Sequence, residues 1–201
     1  MPNMRGTSVL ATLEFMRATF GEAGLAKVLE SVSDATREEL AGPTPVLPDG
    51  WYRASALSEL TRVADQVFGK GDLALAHVIG RHVAFADVNR FFRWLFRLAG
   101  PKALFSRAGS VWHSYYDSGT YVLEKIEEGG AVIRIEGWEA ADEVLCRRLE
   151  GWIARAVELT LGASTHPVIR ETHHRAHDPS VCDTMFCRFE VSWGSPEGVG
   201  A

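Results

Sequence analysis

Potential metal ligands are concentrated in one short stretch near the carboxyl end of the sequence. Four of the seven histidines, one glutamate and two of the three cysteines fall between residues 166 and 187. They are His166, Glu171, His173, His174, His177, Cys182 and Cys187. Zinc prefers a tetrahedral set of four nitrogen, sulfur or oxygen ligands, so this composition could hold the ion. Alternatively, the histidines are solvated loop residues, and Cys146 and Cys187 are small apolar groups in the core.

A second set of residues could line a pocket for a small molecule. An aromatic and basic helical segment is followed by the sequence WHSYYD, and together they contribute Phe91, Phe92, Phe96, Trp112, His113, Tyr115 and Tyr116. Ligand sites are mostly apolar and aromatic, with a few polar groups, and this set has that composition. The same side chains could instead fill the core, and the sequence leaves both interpretations open.

Catalytic motifs are the third possibility, and the sequence gives them little support. Ser110, His113 and Asp117 are close together, but no G-x-S-x-G elbow accompanies them. The sequence also lacks G-x-x-x-x-G-K-[ST], G-x-G-x-x-G and H-E-x-x-H. We therefore expect a protein that binds and does not catalyse.

Composition restricts the class of protein further. With 201 residues, 46% hydrophobic and 23% charged, the chain suits one compact domain with a small appendage. Its net charge of −5 argues against nucleic-acid binding, and no long apolar run predicts a membrane span. The N-terminus lacks the pattern of a signal peptide, so a cytoplasmic location is expected. Three cysteines in that compartment do not predict a disulfide framework.

Apolar periodicity predicts an α+β fold. Residues 1–41 form an N-terminal helical segment, 42–50 a Pro/Gly linker, 51–193 the main α/β domain, and 194–201 a flexible tail. Within the main domain, amphipathic helices precede a hairpin built around the turn EEGG. A long helix and two strands, near 167–174 and 186–193, follow the hairpin. The β-β-α-β-β half predicts a helical layer packed on a four-stranded antiparallel sheet.

Residues 50–193 resemble the 4-vinyl reductase-type ligand-binding domain, which shares a superfamily with haem nitric-oxide-binding domains and the small TRAPP vesicle-tethering subunits. The positions that carry the resemblance are Gly119, the turn EEGG, Cys146, Gly151, Gly162, Glu171, His174 and Cys182. In the zinc-binding members, the resemblance implies that Cys146, Glu171, His174 and Cys182 are the metal ligands, with histidine at a position usually filled by cysteine. Cys187, followed by Phe189 and Trp193, offers a competing register for the last cysteine.

The same resemblance suggests haem as a second candidate cofactor, because one branch of the superfamily binds it through a proximal histidine. His77, His82 and His113 are the histidines outside the carboxyl-terminal group. We find no Tyr-x-Ser-x-Arg motif to hold the propionates, so haem is not expected, whereas zinc stays a candidate cofactor.

These observations predict a sensor or adaptor domain that binds a small hydrophobic or aromatic ligand. A stand-alone sensor must pass its signal by contact, so the resemblance implies a homodimer or a partner protein. The alternative is a protein-interaction scaffold with a filled core, as in the vesicle-tethering relatives.

Overall fold

The computed structural model describes residues 1–87, 100–162, 165–173 and 186–193. Within these ranges it contains helices α1 to α6 and strands β1 to β6. The helices are Gly6–Ser31 (α1), Asp34–Ala41 (α2), Ala54–Phe68 (α3), Ala74–Asp87 (α4), Gly100–Tyr115 (α5) and Glu143–Leu161 (α6). The strands are Asn3–Arg5 (β1), Trp51–Arg53 (β2), Thr120–Ile126 (β3), Gly130–Glu136 (β4), Val168–His173 (β5) and Phe186–Ser192 (β6). No helix in the described ranges has the length and apolar character that crossing a bilayer requires.

The N-terminal helices follow the breaks in the sequence pattern. Gly21, at φ 72°, interrupts α1 where the apolar periodicity stops, because glycine adopts the left-handed conformation without steric cost. Ser33 begins α2, and its side chain accepts a hydrogen bond from the Thr36 N–H. Strands β1 and β2 then pair antiparallel. Residues 42–50 connect α2 to β2, and our division of the chain at this segment stays a prediction.

Helices α4 and α6 cross in close contact. A Cβ atom built on Gly80 would lie 2.0 Å from the carbonyl oxygen of Arg148, and one built on Gly151 would lie 2.0 Å from that of His77. Two glycines on facing helices therefore let the two backbones touch. This crossing fixes the position of α6 relative to the helical layer.

Helix α5 is an element that we did not predict. Its buried or half-buried residues Leu104, Phe105, Ala108, Val111 and Trp112 recur at helical spacing. Pro101 is accommodated because the first turn of a helix does not need its missing N–H. The preceding amphipathic helix that we expected near residues 88–98 lies outside the described residues.

The four-stranded sheet confirms the predicted α+β architecture. Its strand order is β3-β4-β6-β5, and every neighbouring pair is antiparallel. On one face, alternate residues of the two central strands are buried and paired across the ladder. These pairs are Ala131 with Val191, Ile133 with Phe189, and Ile135 with Cys187.

The opposite face of the sheet carries charges. Arg134 and Arg188 both form ion pairs with Glu124, at 3.2 and 2.8 Å, and each pairs with a further glutamate, Glu136 or Glu190. Because one face is apolar and the other ionic, only the first can cover a core or a ligand site. The apolar face, where Cys187 lies 3.9 Å from Cys146 of α6, is therefore the side of the sheet that can border a ligand site.

Candidate functional site

A cavity lies between the sheet, α5, α6 and the start of the chain. Its volume is about 100 Å³. The lining is mostly apolar and comes from five parts of the described chain. Its members are Met4, Ser8, Gly80, Val83, Leu104, Phe105, Arg107, Ala108, Val111, Trp112, Tyr115, Tyr116, Tyr121, Ile133, Ile135, Arg148, Leu149, Trp152 and Ile153. Small-molecule sites share this character, a mostly apolar lining with a few polar groups.

Helix α5 and the turn after it supply an aromatic wall. Trp112 and Tyr116 stack with their ring centroids 4.3 Å apart, and the edge of Trp138 packs against both rings. The Trp112 indole N–H donates to the Ser118 carbonyl at 3.0 Å, which fixes the ring. These contacts give the cavity a rigid aromatic side.

The predicted ligand-binding residues divide into three groups. Trp112, Tyr115 and Tyr116 line the cavity. His113 differs from the prediction: it is exposed on α5 and is not part of the lining, because a helix turns adjacent residues by about 100°. Phe91, Phe92 and Phe96 lie outside the described residues.

Arg148 is the one buried cation among the described residues, at 5% exposure, and it borders this cavity. Its guanidinium donates to the hydroxyl oxygens of Thr61 at 3.0 Å and Thr12 at 2.9 Å. No carboxylate of the described residues forms an ion pair with it. Burial lowers the pKa of Arg148 to about 10, against the opposing influence of Tyr116 and Asp142, so the side chain is cationic at neutral pH.

Sequence reasoning missed Arg148, although a signal was present. The residue falls within the apolar stripe of α6, between Leu145 and Leu149. A charged residue on an otherwise buried helix face is rare without a partner. Such an interruption indicates either a buried ion pair or a polar contact to a ligand.

Tyr121 is a second polar group of the lining. Its hydroxyl donates to the Phe105 carbonyl at 3.0 Å and so ties β3 to α5. Burial raises the pKa of Tyr121 above the range of an exposed tyrosine, so the phenol stays neutral and keeps this bond. Tyr121 therefore stabilises the cavity wall.

The predicted metal ligands are only partly brought together. Cys146 on α6 and Glu171 on β5 lie with Cys187 on β6, one ligand atom from each within 4.8 Å of the others. The two sulfur atoms are 3.9 Å apart. Burial, together with the neighbouring Cys187 and Glu171, raises the pKa of the Cys146 thiol, which favours its protonated form. His174 and Cys182 lie outside the described residues.

The candidate catalytic residues lie on the surface. Ser110 and His113 are exposed on α5. The carboxylate of Asp117 accepts hydrogen bonds from the backbone N–H and side-chain amide of Asn3, at 2.7 and 2.6 Å. Asp117 therefore anchors the N-terminal strand.

Solved structures share this fold. The unliganded Fe(II) H-NOX mutant A71G from K. algicida aligns with a TM-score of 0.71 and 13% identity, over 96% of this chain and 98% of that one. The Fe(II)NO form of an H-NOX protein from S. oneidensis aligns with a TM-score of 0.71 and 12% identity, over 96% and 100%. The chain has the fold of H-NOX proteins. No protein-family model matches the sequence, and no curated protein does.

The solved structures that share this fold correct our expectation about cofactors. A third one, described as "Probing the function of heme distortion in the H-NOX family", aligns with a TM-score of 0.68 and 10% identity, over 98% of this chain and 99% of that one. Our expectation against haem was wrong, because this fold is one in which other proteins hold haem. The possible zinc site is not supported by these structures. The likeness to the haem nitric-oxide-binding branch is confirmed for the fold.

The cavity lining can be compared with what haem needs. An axial histidine is absent from the lining of the described chain, and residues 88–99 contain no histidine. His82 packs against Phe15 instead, and His113 and His166 are exposed. A haem held through histidine therefore does not fit these residues, whereas Arg148 is suited to hold a carboxylate.

Proposed function

We propose that this chain is a sensor domain that binds a small hydrophobic or aromatic molecule in the cavity between α5, α6 and the sheet. The observation that carries the proposal is the cavity itself, apolar on most sides and bounded by the stacked pair Trp112 and Tyr116. The proposal is also supported by the fold, which this chain shares with H-NOX proteins that bind ligands at Fe(II). The scaffold alternative, with its filled core, is not supported.

The way in which the signal leaves the domain is part of the same proposal. Helix α5 lines the cavity on one side and carries exposed residues such as Lys102, Ser106 and Ser110 on the other. A ligand that shifts α5 would change this outer face, which a second copy or a partner protein could contact. The narrower likeness to the 4-vinyl reductase-type domain fits this arrangement, because that resemblance also implies a ligand-binding sensor without catalysis.

Binding can be tested with a neutral fluorescent probe, N-phenyl-1-naphthylamine, whose emission rises in an apolar site. We expect saturable enhancement with the wild-type protein. In Ala108→Trp the new ring occupies space at the cavity wall, so affinity for the probe should fall by roughly tenfold or more. Gly109→Ala is the matched control, because the next residue of α5 is not part of the lining and tolerates a methyl group.

Native mass spectrometry of the purified protein provides the second measurement. A co-purifying organic molecule that is lost in Ala108→Trp would support the proposal. Titration with haemin, followed by the Soret band, determines whether haem occupies the same cavity, since it should then displace the probe. The proposal is wrong if the probe does not bind, haemin gives no saturable change and the protein carries no ligand.

A further inference from the structure

Arg148 differs from the other buried charged residues of the described chain. Asp65 accepts hydrogen bonds from two backbone N–H groups, of Leu73 and Leu75. Glu150 pairs with Arg147 at 2.9 Å, and Glu158 pairs with two arginines. Arg148 alone has only neutral acceptors, the two threonine hydroxyls. A cation buried without an anion carries a large desolvation cost.

The geometry around Arg148 leaves bonding capacity unused. A guanidinium has five N–H donors in a planar fork, and the threonines accept from two of its nitrogens. Thr12 in turn donates its hydroxyl proton to the Ser8 carbonyl at 2.7 Å, so its oxygen is held in place as an acceptor. Arg148 is thus fixed at the cavity by side chains that do not neutralise it.

We propose that the cavity selects a carboxylic acid with an apolar body, and that Arg148 binds its carboxylate. This inference rests on the proposed function and specifies the class of its ligand. Arginine matches a carboxylate with two parallel N–H···O bonds, which are strong and directional. The apolar body of the acid would pack against the aromatic wall of Trp112 and Tyr116 and against Trp152.

Selection of acids over neutral analogues follows from the same contacts. A neutral ligand would fill the apolar space but leave the cation unpaired, whereas an anion neutralises it in a medium of low dielectric. A hydrogen bond to a charged group favours the acid over its ester by roughly 10- to 100-fold in affinity. Small aromatic acids and haem, which carries two propionates, share this chemistry.

The test compares acids with their own methyl esters, which keep the apolar body and remove the charge. One pair is 2-naphthoic acid with methyl 2-naphthoate, and the other is haemin with its dimethyl ester. Displacement of N-phenyl-1-naphthylamine measures all four affinities on the wild-type protein. We expect an acid to bind at least tenfold more tightly than its ester. A preference within the naphthoic acid pair indicates a small acid as the ligand class, and a preference within the haemin pair indicates haem.

Two variants then test whether Arg148 causes the preference for acids over esters. Arg148→Met should reduce it to less than threefold while the esters still bind, and Arg147→Met, an exposed neighbour on the same helix, should leave it unchanged. Equal affinity for acid and ester in the wild type overturns the inference but leaves the proposed function standing. Loss of the preference in Arg107→Met but not in Arg148→Met also overturns it. Failure of all four compounds to displace the bound probe overturns the inference about acids, whereas failure of the probe itself to bind counts against the proposed function.

Discussion

Two buried charges on helix α6 have opposite surroundings. Glu158 lies between Arg81 of α4, at 2.7 Å, and Arg155 of its own helix, at 3.0 Å. Arg148, about three turns earlier, donates hydrogen bonds to two threonine hydroxyls and borders the cavity. Among the described residues, one buried charge therefore has its counter-ions and the other has none. A charge that is fully paired stabilises a helix contact, whereas an unneutralised charge beside an empty space is suited to a ligand.

The crossing of α4 and α6 supports both environments, so breaking it should have the largest effect. In Gly151→Leu the side chain would begin 2.0 Å from the carbonyl oxygen of His77, and the helices would have to separate. We expect the free energy of unfolding to fall by about 4 kcal/mol or more. Urea unfolding followed by circular dichroism measures the loss. Gly109→Ala, at a half-buried position of α5 where the methyl group would lie 3.4 Å from Tyr121, should change stability by less than about 1 kcal/mol.

Removing the charge of Glu158, which pairs with two arginines, should have the next largest effect. Burial alone would raise the pKa of Glu158, but hydrogen bonds from Arg81 and Arg155 outweigh it and lower the pKa. We expect Glu158→Gln to cost about 2 kcal/mol at pH 7, because it leaves two arginines partly buried without their anion. The carboxylate stabilises the fold above its unfolded pKa and loses this contribution as the pH falls through its folded pKa.

The pH dependence makes the Glu158 prediction specific. The stability difference between wild type and Glu158→Gln, measured by urea unfolding, should be full at pH 7 and should shrink towards pH 3. A difference that stays constant over this range would show that the loss comes from packing and not from the ion pairs.

The corresponding change at Arg148 should behave differently. Without ligand, Arg148→Met removes a buried cation that forms no ion pair with a described residue, and the new side chain is apolar and of similar length. We expect the free energy of unfolding to stay within about 1 kcal/mol of wild type, or to rise. Chemical denaturation of the ligand-free protein checks this. A loss greater than about 2 kcal/mol would show that the Thr12 and Thr61 contacts make Arg148 a structural residue.

The smallest effect concerns His77, which lies near Glu158 and its partner Arg81. Burial and the nearby Arg81 and Arg147 lower the pKa of His77, although Glu158 opposes them. The neutral form is therefore favoured in the folded state, and stability is lost as the pH falls below the unfolded histidine pKa of about 6.5. His77→Asn should remove this part of the acid sensitivity, by less than about 1 kcal/mol between pH 7.5 and 5.5. Thermal melts at both pH values would reveal it, and equal slopes for the two proteins would contradict it.

Local patterns in the sequence determined much of this fold. Alternation in AVIRIEG and FCRFEVSW predicts strands with one buried face, because side chains alternate across a sheet. Periodicity from Leu145 to Leu161 predicts the helix that covers them, and the order of these elements predicts an antiparallel sheet. The interruption at Gly21 also follows from residue type, since a left-handed φ favours glycine.

The cavity was decided only by the tertiary structure. Its lining joins Met4 at the start of the chain to Ile153 in the middle of α6, and no spacing within one element predicts such a meeting. The sequence placed Cys146 among candidate ligands, but only the packing of α6 against β6 brings Cys187 beside it. Arg148 was visible as a charge in an apolar stripe. Arg148 borders the cavity and has no counter-ion among the described residues. Both facts depend on which helices cross α6, and packing between segments distant in the sequence determines that crossing.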